Sequence, residues 1–319
     1  MNPSKLLEEI KKHKTFLLTT HQNPDPDALC SELACAIFLK ELGKEVHIVN
    51  AEEIPVRFSF LPNKAWIKTF KKGTKIKYDV AVVLDCGDLD RIGRVKEFID
   101  PAKPLINLDH HITNTHFGQM NWVQPKASST TEVLFEIIKF AGVSLNDDMA
   151  YHLYTGMMTD TGSFCFENVT AATLQVAAEL RKFKFSPSQI YKNVYESMPV
   201  KDLKMAAQIV GDMDLLFSGK VIALELRKKD LAKFSKNIDV RDTLFKFLRM
   251  IKGVEVIVIF TEVKKYQTRI NFRSSSYVDV ASIAAVFSGG GHIRASGGLM
   301  DASIPQTRMK VLKQIRKVL

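Results

Sequence analysis

FLLTTHQNPDPDALCSELACAIFLKELG, residues 16–43, decides the fold. FLLTT (16–20) is an apolar strand, HQNPDPD a stiff polar turn, and ALCSELACAIFLKELG (28–43) a helix closed by Gly43. The same rhythm continues in EVHIVN (45–50), DVAVVLDCGD (79–88) and PLINLDHH (104–111), three more strands separated by helical or irregular stretches. Strands that are apolar along their whole length, rather than at alternate positions, belong to a parallel sheet covered on both faces. Ligands of such sheets bind at the carboxyl ends of the strands. His21, Asp25 and Asp27 follow the first strand, Asp85 ends the third, and Asp109, His110 and His111 end the fourth.

SSTTEVLFEIIKFAG (128–142), with its hydroxyl cap and nearby Glu132, DDMAYHLYTGMMTDTG (147–162) and TAATLQVAAELRKF (170–183) read as helices. Residues 184–212 are helical and charged, with a helix expected through KDLKMAAQIV. A second rhythm follows: strands at KVIALELR (220–227), VEVIVIFTEV (254–263) and QTRINFRSS (267–275), helices at VDVASIAAVFSG (278–289) and PQTRMKVLKQIRKVL (305–319), and a glycine-dense GGGHIRASGG (289–298). The expected organisation is a first α/β domain over residues 1–185, a helical linker over 186–214, and a smaller α/β domain over 215–319.

The composition is that of a globular protein, 46% hydrophobic and 25% charged over 319 residues. No apolar run has the roughly 20 residues a membrane span requires, and the charged start MNPSKLLEEIKKHK lacks the apolar core of a signal peptide. A cytoplasmic protein with no membrane partner is expected. Cys30, Cys35, Cys86 and Cys165 are scattered without a CxxC pair, which argues against a zinc knuckle or a disulfide framework and for small buried residues. The net charge of +10 favours polyanionic partners. Basic runs stand at 68–77, 181–184, 227–236 and 310–317; singly each reads as a solvated face, together they lean towards phosphate-bearing substrates.

His21, Asp25, Asp27, Asp85, Asp109, His110, His111 and Asp160 all fall in loops after strands or a helix. Taken singly, each acid also reads as a turn residue, a cap or a strand end. Their joint placement on one edge of one sheet points instead to hard divalent cations, which take oxygen and imidazole ligands. Two cations about 3.5–4 Å apart sharing one carboxylate suit in-line attack of hydroxide on phosphorus. Asp85, at the end of a central strand, is the natural shared ligand.

HQNPDPDA, VVLDCGD, LDHHITN and TGMMTDTGSF resemble, in order, the four motifs of the DHH phosphoesterases, and NFRSS with GGGHIRASGG resembles the DHHA1 substrate domain. The resemblance implies a DHH catalytic domain and a DHHA1 substrate-binding domain on either side of the linker. It implies that His21, Asp25 and Asp85 hold one metal ion and Asp27, Asp85, His110 and Asp160 a second. Manganese is the expected ion, with magnesium or cobalt as alternatives. His111 would face the scissile phosphate, Asp109 would orient the histidine pair, and water activated between the ions would attack. Pro26 and Cys30 stand where the family usually has glycine, which predicts a stiffer loop but removes no ligand.

For the second domain, Arg273, Ser274, His292 and the backbone of Gly289, Gly290 and Gly291 are the expected phosphate contacts, with Arg91 a further one from the first. Domain pair and length are similar to the nano-RNase A type. That implies hydrolysis of short oligoribonucleotides to mononucleotides and of 3′-phosphoadenosine 5′-phosphate (pAp) to AMP, in an architecture where a homodimer is common. The competing readings are a cyclic or linear dinucleotide phosphodiesterase, an inorganic pyrophosphatase or exopolyphosphatase, and a non-enzymatic RNA-binding regulator.

Overall fold

The computed structural model describes residues 3–196, 198–235 and 238–319. Ser197, in the expected linker, and Lys236, the last charge of the third basic run, lie outside the described residues. The chain divides into two compact units, residues 1–196 and 197–319.

The first unit opens with α1 (Pro3–Lys12) and contains a six-stranded sheet of β1 (Thr15–Thr19), β2 (Glu45–Asn50), β3 (Ile67–Thr69), β4 (Val80–Leu84), β5 (Leu105–Asp109) and β6 (Met120–Val123). The order is β3-β2-β1-β4-β5-β6, and every neighbouring pair is parallel. The α/β class and the parallel sheet are those expected. β3 and β6 are additional edge strands, IKT and MNWV, too short to show a period. Strand order reverses between β1 and β4, and the crevice at their carboxyl ends is where such sheets take ligands.

α2 (Pro26–Glu41), α3 (Thr130–Phe140), α4 (Asp147–Asp160), α5 (Ala171–Leu180) and α6 (Pro187–Tyr195) pack with α1 on one face of this sheet. α2 is buried from Pro26 to Leu39, which explains why its sequence lacks a polar stripe. It ends at Leu42, with Gly43 in the left-handed region at φ 71°. The other face is covered by 3₁₀ turns within Leu89–Phe98 and by Phe70, Tyr78 and Phe117. Ser129 caps α3 by accepting from the Glu132 amide. The Glu132 carboxylate serves another purpose, accepting from Ser128 N and Thr173 Oγ1, each at 3.0 Å, and so ties α3 to α5.

His152 sits inside the helical layer on α4, fully buried, and neither ring nitrogen has a hydrogen-bond partner among the described residues. Burial drives its pKa down from 6.5 to about 4. The unfolded chain therefore binds this proton more tightly, so stability is complete above about pH 6.5 and falls as pH drops towards 4, by roughly 3 kcal/mol at the limit. His152→Leu should flatten that slope. Urea unfolding at pH 5 and pH 7.5 checks it; an equal acid loss in both proteins would refute this assignment.

The second unit contains α7 (Val200–Gly211), β7 (Asp214–Leu216), β8 (Val221–Leu226), α8 (Lys228–Leu231), α9 (Val240–Leu248), β9 (Val256–Lys264), β10 (Gln267–Ser274), α10 (Val280–Ala285), β11 (Gly290–His292), β12 (Ala295–Met300) and α11 (Ile304–Ile315). Its sheet order is β11-β12-β10-β9-β8-β7, with only β8 and β9 parallel. α10 and α11 cover the face carrying Ile270 and Phe272. On the opposite face, α7 and α9 cover β8 and β9. No helix among the described residues is long and apolar enough to cross a membrane. Cys30, Cys35 and Cys86 are buried as expected; Cys165 is exposed.

Candidate metal centre

The polar turn after β1 is shaped by its own acids. Asp25 is the N-cap of α2, its carboxylate accepting from Ala28 N at 3.0 Å. Pro26 therefore occupies the first helical position, where a missing N–H costs nothing, and its ring fits the path the loop takes. Asp27, one residue on and 1% exposed, turns inward to the N-terminus of α3, where it accepts from Thr130 N (2.7 Å), Thr131 N (3.1 Å) and Thr131 Oγ1 (2.7 Å). Free N–H groups at a helix start are a natural seat for a carboxylate.

Asp85 follows β4 with φ 53°, a left-handed conformation that few residues other than glycine, asparagine and aspartate accept. Its Oδ1 accepts from Thr130 Oγ1 at 2.8 Å. Its oxygens lie 3.6 Å from His21 Nε2, 3.7 Å from His110 Nε2 and 3.7 Å from His111 Nδ1. Asp160, the last residue of α4, puts Oδ2 3.4 Å from His110 Nε2.

Each imidazole is oriented through Nδ1. That of His21 donates to the Gln22 carbonyl at 2.8 Å and that of His110 to the Ala127 carbonyl at 3.3 Å, which turns Nε2 of both rings towards the Asp85 carboxylate. His111 Nδ1 donates to Asp109 Oδ1 at 2.7 Å, and Asn114 Nδ2 donates to Asp109 Oδ2 at 2.6 Å. Asp109 thus orients His111, while the bond that orients His110 goes to Ala127.

Donor atoms of His21, Asp25 and Asp85 lie within 4.8 Å of one another, as do those of Asp27, His110 and Asp160, and those of Asp85, His110 and His111. The electrostatics follow from crowding. Burial, then the Asp85 charge, push Asp27 up to about 7. Burial, with Asp27, Asp25 and Asp85 beside it, lifts Asp160 well above the usual carboxylate range. Burial opposes ionisation of Asp85 too, but the His21 hydrogen bond and the charges of His111 and His110 hold it well below that range. Two of the four acids resist ionisation here unless positive charge is supplied, and imidazole nitrogens together with carboxylate oxygens are the donor set that divalent cations of intermediate hardness take.

Arg91 lies on the exposed 3₁₀ segment beside the centre, where its carbonyl accepts from Gln22 N at 2.7 Å. The remaining expected residues belong to the second unit. Strand pairing puts Arg273, Gly290 and His292 on one face, and Ser274 and Gly291 on the other. Ser274 is 8% exposed, with its hydroxyl donating to the Ile293 carbonyl at 3.4 Å. The glycine run builds a hairpin with β12 rather than an isolated loop. A Cβ on Gly289 would stand 2.1 Å from the Gly297 carbonyl oxygen, so glycine is required for that approach. The turn after β10 is organised around Glu255, whose carboxylate accepts from Ser276 Oγ (2.7 Å), Tyr277 N (2.8 Å) and Val278 N (2.8 Å). These bonds overcome burial and hold Glu255 below its ordinary pKa.

Thr130, Thr131 and Asn114 are site residues that sequence reading does not single out. The one local sign of the threonines is a hydroxyl run directly before an apolar helix.

The DHH family N-terminal domain matches residues 15–157, and the DHHA1 domain matches residues 218–319. The chain is 30% identical over 299 residues to the bifunctional oligoribonuclease and PAP phosphatase NrnA of Bacillus subtilis, covering 92% of each chain. To the protein of the same name from Thermus thermophilus it is 28% identical, over 99% of this chain and 94% of that one. The fold is similar to that of an exopolyphosphatase-related protein from Bacteroides fragilis, with a TM-score of 0.89, 24% identity, and coverage of 98% of this chain and 94% of that one.

Proposed function

Because the chain belongs to the DHH family and carries a DHHA1 domain behind the DHH domain, we propose that it is a cytoplasmic, manganese-dependent phosphoesterase that hydrolyses short oligoribonucleotides to mononucleotides and pAp to AMP. The observation that carries this reading is the set of three overlapping donor clusters at the switch point of a parallel sheet, two of them sharing Asp85. His21, Asp25 and Asp85 would hold one cation, and Asp27, Asp85, His110 and Asp160 the other. Bound there, the cations would acidify water and stabilise charge developing at phosphorus.

The protein's own groups do the rest. Asp109 fixes the ring of His111, whose Nε2 would donate to a phosphoryl oxygen. Thr130 and Thr131 hold Asp85 and Asp27 in place by hydrogen bonds that need no cation. In the second unit Arg273, with its guanidinium carbon 4.7 Å from the Phe245 ring centroid, is a preorganised phosphate donor, and His292 lies on the same face.

The test is product release with Mn²⁺ from labelled RNAs of two, five and twenty-four nucleotides, beside pAp and pyrophosphate. Fast mononucleotide release from the short RNAs and phosphate release from pAp are expected. Turnover of pyrophosphate alone, or none with any metal ion, would overturn the reading.

A further inference from the structure

One edge of the first unit's sheet is β3, which has β2 on one side and no strand on the other. Phe70 N, just past the end of β3, donates to Asn50 O at 2.8 Å. In a parallel pair every second residue turns its backbone groups to the same neighbour, so Lys68 also faces β2 while the N–H and C=O of Thr69 point outward. A cleft of about 790 Å³, within the range of ligand pockets, runs along this edge and takes in both faces of the sheet. On the face towards α2 it is lined by Ile48, Trp66 and Lys40. On the other face Val49, Ile76 and Phe98 line it, and strand alternation puts Lys68 on that side with Phe70.

The charge at this edge is one-sided. The run 68–77 holds five lysines and no acid. Lys40, Lys68 and Lys71 line the cleft against a single carboxylate, that of Glu53. Lys40 Nζ lies 3.2 Å from the Trp66 ring centroid, and Lys68 Nζ donates to the Ala65 carbonyl at 2.7 Å, so both ammonium groups are spent on neutral partners. Lysines on a short edge strand are also a guard against aggregation. A guard needs no apolar cleft on both faces of the edge, whereas a strand laid against β3 would put alternate side chains into each half of it. A second copy of this chain does not fit, because pairing two β3 edges would set like charges across from one another.

We propose that the outer edge of β3 is a docking site for an acidic, extended peptide segment of a partner protein, which adds as a seventh strand with its carboxylates on the side of Lys68 and its apolar side chains over Ile48 and Trp66. The ladder bonds made by Thr69 give affinity, and the lysines select the acidic partner. The inference goes beyond the phosphoesterase reading and does not depend on it.

The probe is a fluorescein-labelled octapeptide of alternating aspartate and valine, titrated with the full chain and read by anisotropy, with hydrogen exchange reporting on the Thr69 amide. Saturable binding that protects this amide is expected. One peptide is N-methylated at all its aspartates and another at all its valines. The version whose blocked amides face β3 should lose about tenfold or more, and the other little. Lys68→Glu/Lys71→Glu should cost about tenfold through charge. Thr69→Pro removes only an outward N–H, so it should weaken binding while the melting temperature holds. A wild-type chain that does not bind the peptide, equal losses in the two methylated versions, equal binding of a lysine–valine octapeptide, or full affinity in Thr69→Pro would each overturn the proposal. So would a decauridylate that displaces the peptide and itself weakens in Lys68→Glu/Lys71→Glu, since the edge would then be a surface for RNA.

Discussion

Asp85→Asn should reduce phosphoester hydrolysis by about 10³-fold or more while the fold persists. Asparagine keeps the size of the side chain and tolerates the left-handed backbone, so φ 53° remains accessible. It also keeps an oxygen for the Thr130 hydroxyl, 2.8 Å away. What it removes is the negative charge of the His21–Asp25–Asp85 cluster and of the Asp85–His110–His111 cluster, which joins the Asp27–His110–Asp160 cluster through His110. Both proposed cation positions should weaken together, which replacement of a ligand to only one of them would not do. The measurements are kcat/KM with Mn²⁺ and the metal content of dialysed protein. Activity within tenfold of wild type, or two cations retained per chain, would rule out the shared-ligand assignment.

Gly156→Ala should behave against expectation for a helix interior, where alanine is normally worth about 1 kcal/mol over glycine. A Cβ at position 156 would stand 2.5 Å from Asp27 Oδ1, 2.5 Å from Thr131 Cγ2 and 2.7 Å from Thr131 Oγ1. Neither neighbour is free to yield, since Asp27 is bonded to the first turn of α3 through three donors. Overpacking of a filled interior costs about 1–3 kcal/mol, so a net loss of stability of about 1–2 kcal/mol is expected. The larger effect is on chemistry: moving Asp27 by about 1 Å is enough for a loss on the order of 10²-fold. Gly211→Ala, on α7 with nothing within 4 Å of its Cβ, is the control for the helix term. Wild-type turnover in Gly156→Ala would show that Asp27 is not held where the structure has it.

The part of the site that could be read from sequence is the part that follows the strands. A carboxylate or imidazole directly after an apolar run is conspicuous, and His21, Asp85, Asp109 and His110 stand out in that way. Thr130 is a different matter. It touches Asp85 across 45 positions of sequence, and its backbone meets Asp27 across 103. Nothing local to SSTT announces such partners. Edge strands failed for lack of length: β3 pairs over three residues, and its residues alternate no more than a loop's would. The glycine run suggested close backbone approach, which is present at Gly289, but its use is to admit the β12 backbone. Strand pairing then sends Ser274 and Gly291 to the face opposite Arg273, a consequence of period two that a list of motif residues hides.

The serine-rich turn Ser274–Ser276 and the amides that follow have the look of a phosphate cradle: hydroxyls and consecutive N–H groups at the end of a strand. The Glu255 carboxylate already fills it. A substrate phosphate would have to displace a covalently tethered anion whose local concentration no free ligand can match, and would meet its negative charge on approach. The cradle is an anion site occupied for good by the chain itself, and so a piece of scaffold. A phosphate contact in this unit would fall to groups outside that turn, such as the Arg273 guanidinium stacked on Phe245.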